Sequence, residues 1–257
     1  MAKVMLISHT KDPEYLVASA AKLCYSSNGI SDLLEGLDAE KVKNFLNMLV
    51  ELGHESPIEH VNFTFGIEGI SRSLLAQITR HRIASFSVQS QRYVNEEQFR
   101  YVIPPEIENI EQAKDEFIKA MEEDKIHYDH IALLLKKKHK ERFQAMGKSE
   151  IEAEKLAEKS AIEDARFVLP NACATKMICT FNARSLMNFF RHRLCNRAQW
   201  EIRELALQML RLVLEVAPNL FKQVGPSCLK GECKEKRMSC GRQRQVKDFF
   251  CELYEKY

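Results

Sequence analysis

Arg80-His81-Arg82-Ile83-Ala84-Ser85-Phe86-Ser87-Val88-Gln89-Ser90-Gln91-Arg92 crowds three arginines, a histidine and several serine hydroxyls into thirteen residues. It follows directly on Ser71 to Thr79, which reads as a short helix. Arginine presents a planar fork of donors that matches phosphate and carboxylate oxygens two at a time. A dense basic stretch with hydroxyls between and no acidic partners reads as a pocket for an anionic ligand. A solvated helix end is the plainer alternative for any single arginine.

The chain around this stretch reads as a mixture of helices and strands. Residues 3–8 read as a first strand. Pro13 to Tyr25 reads as a helix with Asp12 as its N-cap and proline at its first position. Ala39 to Leu52 reads as a second helix ending at Gly53. The polar loop His54-Glu55-Ser56-Pro57-Ile58-Glu59-His60 leads into a strand from Val61 to Ile67. Tyr93 to Ile103 reads as irregular or extended, and Pro104-Pro105 closes it. Charged helices from Glu106 to about Ala145 and from Ser149 to Asp164 flank Gly147, which predicts an αα-hairpin. Ala174 to Phe181 reads as a strand. Asn182 then caps a helix through Arg193. Residues 198–217 carry Ile202, Leu205, Met209, Val213 and Val216 on one stripe at helical spacing.

The composition sets bounds. A length of 257 residues with 45% hydrophobic content suffices for a sizeable core. A formal net charge of +2 argues against a general attraction to nucleic acid or anionic membrane. No apolar run approaches the roughly 18 residues of a membrane span. The N-terminus reads as a strand and not as a signal peptide, so a cytoplasmic protein with reduced cysteines is expected.

Four further constellations matter. In the His54–His60 loop, two histidines six apart fix no ligand geometry, so metal binding is the minor reading beside a loop tied down by polar contacts. In Asn182-Ala183-Arg184-Ser185-Leu186-Met187-Asn188-Phe189-Phe190-Arg191-His192-Arg193, positions 184, 188 and 192 share a helical face, with Leu186, Phe189 and Phe190 on the buried side. Asn182 sets a helix N-terminus suited to an anion or carbonyl. Lys136-Lys137-Lys138-His139-Lys140 reads as a solvated helical face. From residue 226 the composition turns rich in Cys, Lys, Arg and Gly. Cys228, Cys233 and Cys240 there lack the two-residue spacing of zinc ribbons. They read as free thiols, with a structural zinc or iron–sulfur site as the alternative. No Gly-x-Gly-x-x-Gly, Gly-x-Ser-x-Gly or Pro-Cys is present.

The pattern Arg-His-Arg-x-x-Ser-x-x-x-x-Ser-x-Arg, the His54–His60 stretch and the Asn182–Arg193 block with Ala198-Gln199-Trp200-Glu201-Ile202 together resemble the flavin-dependent thymidylate synthases. The resemblance covers roughly residues 15–222. It implies an α+β fold with a central, largely antiparallel sheet flanked by helices, and a homotetramer with sites shared between subunits. A synthase domain over residues 1–225 and a Cys-rich tail over 226–257 are expected. The implied reaction is reductive methylation of deoxyuridine monophosphate to thymidine monophosphate. Methylenetetrahydrofolate gives the one-carbon unit, NADPH reduces the flavin adenine dinucleotide, and no protein nucleophile takes part. By the same resemblance, Gln77, Arg80, Gln89, Ser90, Gln91, Arg92, Arg166 and Arg193 meet the substrate nucleotide, with Arg193 as the activating residue. His54, Ser56, Arg80, His81, Arg82, Val88, Asn182, Ala183, Arg184 and Asn188 meet the flavin. Val88 and Arg197 stand where the family pattern varies. Glu59 and His60 read as structural, and no metal ligand is implied. Two rivals make other predictions: a flavoprotein that only oxidises reduced nicotinamide, and a nucleic-acid-binding module using the arginine stretch and the lysine run.

Overall fold

The computed structural model describes residues 2–27, 29–35, 37–91 and 99–257, with their side chains except at 33, 35, 50 and 51. The first strand, β1 (Lys3–His9), leads into α1 (Pro13–Leu23). Proline opens α1 as expected, but Asp12 makes no capping bond through its side chain and sits in the left-handed region at φ 47°. Its carbonyl accepts the Leu16 N–H at 3.1 Å instead. A short helix not foreseen in the sequence, α2 (Ile30–Glu35), precedes α3 (Ala39–Leu52). Asp38 caps α3 by accepting the Lys41 N–H at 2.8 Å. Gly53 ends α3 at φ 69°, a conformation that a Cβ would strain.

The His54–His60 loop is partly a 3₁₀ turn, Ser56–His60, and feeds β2 (Asn62–Ser71), longer than its sequence suggests. The helix α4 (Arg72–Ile78) delivers the arginine stretch. That stretch contains a strand the sequence reading missed, β3 (Ala84–Val88). The charged region after Pro104 divides into α5 (Pro105–Glu108) and α6 (Glu111–Ala145), where one helix is expected. Then come α7 (Glu150–Ala165), β4 (Ala174–Asn182), α8 (Ala183–Arg193), α9 (Trp200–Val216) and α10 (Pro218–Phe221). The tail holds 3₁₀ turns at Ser227–Leu229 and Lys236–Met238, then α11 (Gln243–Tyr254). The four strands form one antiparallel sheet in the order β1-β2-β4-β3, which bears out the α+β expectation. No described helix is long and apolar enough to cross a membrane.

The described chain divides into two compact units. One comprises Glu68–Ala76 and Val88–Met177 and contains the expected αα-hairpin of α6 and α7. Gly147 turns the hairpin at φ 83°, and Ser149 with Glu152 forms a reciprocal capping box at the start of α7. Ala153, Ala157, Ala161 and Ala165 are all buried. Their spacing of four makes a small-residue face that lets the two helices approach closely. Tyr128, Ile162 and Ala165 form the hydrophobic centre at one end. Lys136 and Lys140 bridge to Glu150, Glu154 and Glu158 on α7, so part of the lysine run is a charged seam between helices. Past the residues 92–98 that lie outside the described chain, Tyr101 makes an antiparallel bridge with Cys173.

The other unit comprises Ala2–Ile67, Gln77–Ser87 and Ile178–Tyr257. Its core is aromatic: Phe63, Phe181, Phe189, Phe190 and Phe221 are buried and meet ring to ring at 5.4–6.0 Å. Such contacts add specific geometry to the apolar burial that drives folding. The stripe on α9 is buried at Ile202, Leu205, Met209 and Val213 and half-buried at Val216. Val17, Ala18 and Ala21 of α1 pack toward Leu46 and Leu49 of α3. On the sheet, Thr64 and Thr180 share a cross-strand hydrogen bond at 2.9 Å.

Candidate functional site

The Asn182–Arg193 block works as a platform. Asn182 ends β4 and caps α8, its Oδ1 accepting the Ser185 N–H at 2.8 Å. Leu186, Phe189 and Phe190 are fully buried, which fixes the rotation of α8 and turns Arg184, Asn188 and Arg191 outward. Ala183 is buried too, and its N–H goes to the Val61 carbonyl at 2.7 Å, so it anchors the helix to the sheet.

Against this platform lies the front of the arginine stretch. Arg80, His81, Arg82 and Ile83 line a cleft of about 480 Å³ together with Asn182, Arg184, Ser185, Asn188, Arg191, Glu55 and Glu59. Four guanidiniums face two carboxylates there, so the cleft is positive on balance. Arg184 donates through Nε to Glu55 at 2.9 Å and through Nη1 to Glu59, and Arg191 reaches Glu55 at 3.7 Å. The two carboxylates thus hold Arg184 at different places, Glu55 at Nε and Glu59 at Nη1. Glu59, expected to be structural, therefore borders the cleft. Glu55, Ile83, Ser185 and Arg191 are the members that sequence reasoning missed.

His81 is the pivot of the site. Its ring stands edge-on to Phe189 at 5.1 Å, and its Nε2 accepts from Arg193 Nε at 3.3 Å. Phe189 and Arg193 are one turn apart on α8, so one helical face grips the imidazole twice. Burial, then the positive charges of Arg193 and His192, push His81 down to about 4, so it is a neutral acceptor at physiological pH. Arg193 is itself lowered from its ordinary value by burial and by Arg80, yet stays cationic, as guanidiniums do in proteins.

His54 and Ser56 line a neighbouring cleft of about 420 Å³ with Tyr25 and Glu55. The Tyr25 hydroxyl lies 3.0 Å from His54 Nδ1 and sets the ring's orientation. Gln77 is half-buried at the end of α4.

The chain matches the family model described as thymidylate synthase complementing protein over residues 5–219. It is 57% identical to a flavin-dependent thymidylate synthase of Clostridium tetani, covering 96% of each chain. It is 47% identical to one of Geobacter sulfurreducens over 98% of this chain and 99% of that one, and 44% identical to one of Nitratidesulfovibrio vulgaris over 93% and 94%. The chain belongs to this family. It is a family of enzymes.

Of the positions the flavin-dependent thymidylate synthase signature singles out, Arg80, His81, Arg82, Asn182, Arg184 and Asn188 converge on the one cleft, with Arg193 joined to it through His81. His54, Ser56, Gln77 and Ala183 belong to the same unit as that cleft, whereas Val88, Gln89, Ser90, Gln91 and Arg166 fall in the hairpin-containing unit. There Gln89 N–H donates to the Lys176 carbonyl at 3.0 Å, and the Gln89 carbonyl accepts from Arg72 at 3.2 Å. Val88, Gln89, Ser90 and Gln91 are half-buried, and Gln91 Nε2 lies 3.6 Å from Cys173 Sγ. Arg166 is half-buried, with its Nε donating to the Glu163 carbonyl at 3.1 Å. Arg92 lies outside the described residues.

Proposed function

We propose that this chain converts deoxyuridine monophosphate to thymidine monophosphate by reductive methylation. In this reading it takes the one-carbon unit from methylenetetrahydrofolate and uses flavin adenine dinucleotide reduced by NADPH. The observation that carries the reading is the cleft itself. Two sequence blocks about a hundred residues apart, each resembling the family at flavin-contacting positions, line one positively charged pocket. The donor set fits the group: guanidinium forks of Arg80 and Arg82, a free-facing Asn188 amide, and the capped N-terminus of α8 all suit a diphosphate. His54 and Ser56, in the adjoining cleft, are assigned to its ring end.

When bound, the flavin supplies the redox chemistry of the transfer. The protein's part is orientation and charge. Arg193 is assigned to the uracil ring, where a guanidinium favours the ring's ionised form and so prepares it for attack without a protein nucleophile. Neutral His81 holds Arg193 by its Nε and leaves both terminal nitrogens for the substrate. Gln77, Arg80, Gln89, Ser90, Gln91, Arg92 and Arg166 are assigned to the rest of the nucleotide. A homotetramer completes the reading. It is supported by Ile126, Leu133 and Leu134 of α6, which stand 57–66% exposed at spacings of seven and eight and form an apolar face awaiting a partner.

The test is product formation by purified protein given flavin, NADPH, methylenetetrahydrofolate and deoxyuridine monophosphate. Thymidine monophosphate and tritium released from the C5 position are expected. NADPH oxidation indifferent to the nucleotide, with no product, would sink the reading and leave a simple flavoprotein oxidase. Light scattering on the same preparation reads the assembly; a monodisperse monomer would remove the tetramer.

A further inference from the structure

A cleft of about 500 Å³ opens beside the two already described and shares Glu55 with both. It shares Arg191 with the cleft of the arginine stretch, and Leu49 and Gly53 with the cleft of His54 and Ser56. Its floor is apolar: Leu49, Ile58 and Leu220 are buried there, with Met187 of α8 beside them. Its other wall is built by residues between Gln223 and Lys234, past the residues matched to the family model.

The last helix holds that wall in place. Val246, Phe250 and Leu253 of α11 are buried, and α11 packs on the Ser227–Leu229 turn. The Tyr254 hydroxyl donates to the Val224 carbonyl. Gly225 lets Leu229 and Phe250 close over the backbone, because a Cβ there would stand 2.5 Å from Leu229 Cδ1 and 3.5 Å from Phe250 Cε1. Gln243 donates through Nε2 to the Cys228 carbonyl at 3.1 Å and to the Gly231 carbonyl. The wall is also charged. Lys230 and Lys234 line the cleft from it, and Arg191 lines it from α8. Two carboxylates, Glu55 and Glu232, stand among them, but Glu55 is bonded to Arg184 at 2.9 Å. Among the described residues neither lysine is paired with a carboxylate. Desolvation by burial, then the charge of Arg191, hold Lys230 below its ordinary value. An anion between the two cations would turn that repulsion into attraction.

We propose that this cleft takes the anionic far end of a co-substrate whose reactive end lies at the flavin ring, and that Lys230 and Lys234 bind its phosphate or carboxylate groups. This deepens the reaction proposed above and rests on it: the flavin's ring end is assigned to the cleft of His54 and Ser56, which adjoins this one. Two co-substrates of that reaction have such a build. NADPH carries a phosphate on its adenosine, and methylenetetrahydrofolate carries carboxylates on its glutamate. Each joins flat rings to an anionic end, which suits an apolar floor with a cationic rim.

The experiment uses flavin-loaded, full-length protein. Its lysines are acetylated with acetic anhydride and read by peptide mass spectrometry, alone and with NADPH or tetraglutamyl methylenetetrahydrofolate. Lys230 and Lys234 should lose reactivity with one or both, while Lys256 near the chain's end does not. Protection by NADPH marks the phosphate as the occupant, protection by the folate marks the carboxylates, and protection by both means that the two use the cleft in turn. In steady-state assays, Lys230→Ala combined with Lys234→Ala should raise KM for the protecting co-substrate about tenfold, as loss of charge-assisted hydrogen bonds does. Discrimination between NADPH and NADH, or between tetraglutamyl and monoglutamyl folate, should shrink with it. Lys230→Glu should be worse than Lys230→Ala, a difference that lost packing alone would not give. Lysines equally reactive with and without each co-substrate overturn the inference, and so does a double variant with unmoved KM for both. Acetylation needs no turnover, so a wild type that forms no product sinks the reaction while the cleft is still judged by its lysines.

Discussion

Arg193 donates through Nε to His81 Nε2 at 3.3 Å, with His81 held on its other side by Phe189 at 5.1 Å. An arginine bonded at Nε is restrained in the plane of its guanidinium while its outer nitrogens stay available. The partner must be an acceptor, and a protonated imidazole is not one. The lowered His81 pKa and the Arg193 contact are thus two sides of one arrangement.

Arg193→Ala is expected to cut turnover by about 10²–10³-fold, the range seen when one preorganised charge-stabilising donor is lost. Arg193→Lys should recover little of it, because an ammonium cannot bond His81 and the ring with the same fixed fork. Steady-state kinetics at saturating nucleotide provides the check. Near-normal turnover in Arg193→Ala would remove this residue from the mechanism.

His81 also predicts a pH dependence of stability. Its pKa is 6.5 unfolded and about 4 folded, so the unfolded chain binds the proton more readily. The stability it contributes is complete above 6.5, falls as pH drops below that value and levels off below about 4. The ring is only half-buried, so solvent screening makes the effect smaller than the full shift implies. Denaturant melts of wild type and His81→Asn between pH 7 and 4 should converge toward acid. Curves that stay parallel would show that His81 is not linked to folding.

Arg184 is held by Glu55 and Glu59 on an exposed surface, so the pairs themselves should matter little for stability. Their expected role is to aim the remaining guanidinium edge into the cleft. Arg184→Ala should weaken flavin binding by about tenfold, as loss of one charge-assisted hydrogen bond does, with the melting temperature nearly unchanged. Flavin titration by fluorescence quenching and a thermal melt read the two quantities. Unaltered affinity would make Arg184 a surface residue only.

The helical part of this arrangement is legible in the sequence because local signals carry it. Gly53 ends α3, Ser149 opens α7, and the apolar spacing of Leu186, Phe189 and Phe190 orients α8. What was not legible is non-local or short. The strand β3 hides inside the arginine stretch because its alternation, Phe86 and Val88 inward with Ser85 and Ser87 outward, lasts only five residues. It is secured by the neighbouring strand, where Phe86 meets Phe181 at 5.8 Å. The grip of Glu55 and Glu59 on Arg184 spans well over a hundred residues, and local sequence offers no sign of it.

Asn182 separates a structural role from a binding role at one position. Its side chain caps α8 and also lines the cleft. Asn182→Ala removes the cap and should cost about 1 kcal/mol of stability. Asn182→Asp keeps an oxygen for the Ser185 N–H and suits the positive helix end, so stability should hold or rise slightly. The aspartate, however, brings a negative charge to the wall where the flavin's diphosphate is assigned. Flavin affinity should then fall in Asn182→Asp by more than in Asn182→Ala, the reverse of the stability order. If affinity instead tracks stability across the two variants, Asn182 serves the helix alone, and the diphosphate lies elsewhere in the cleft.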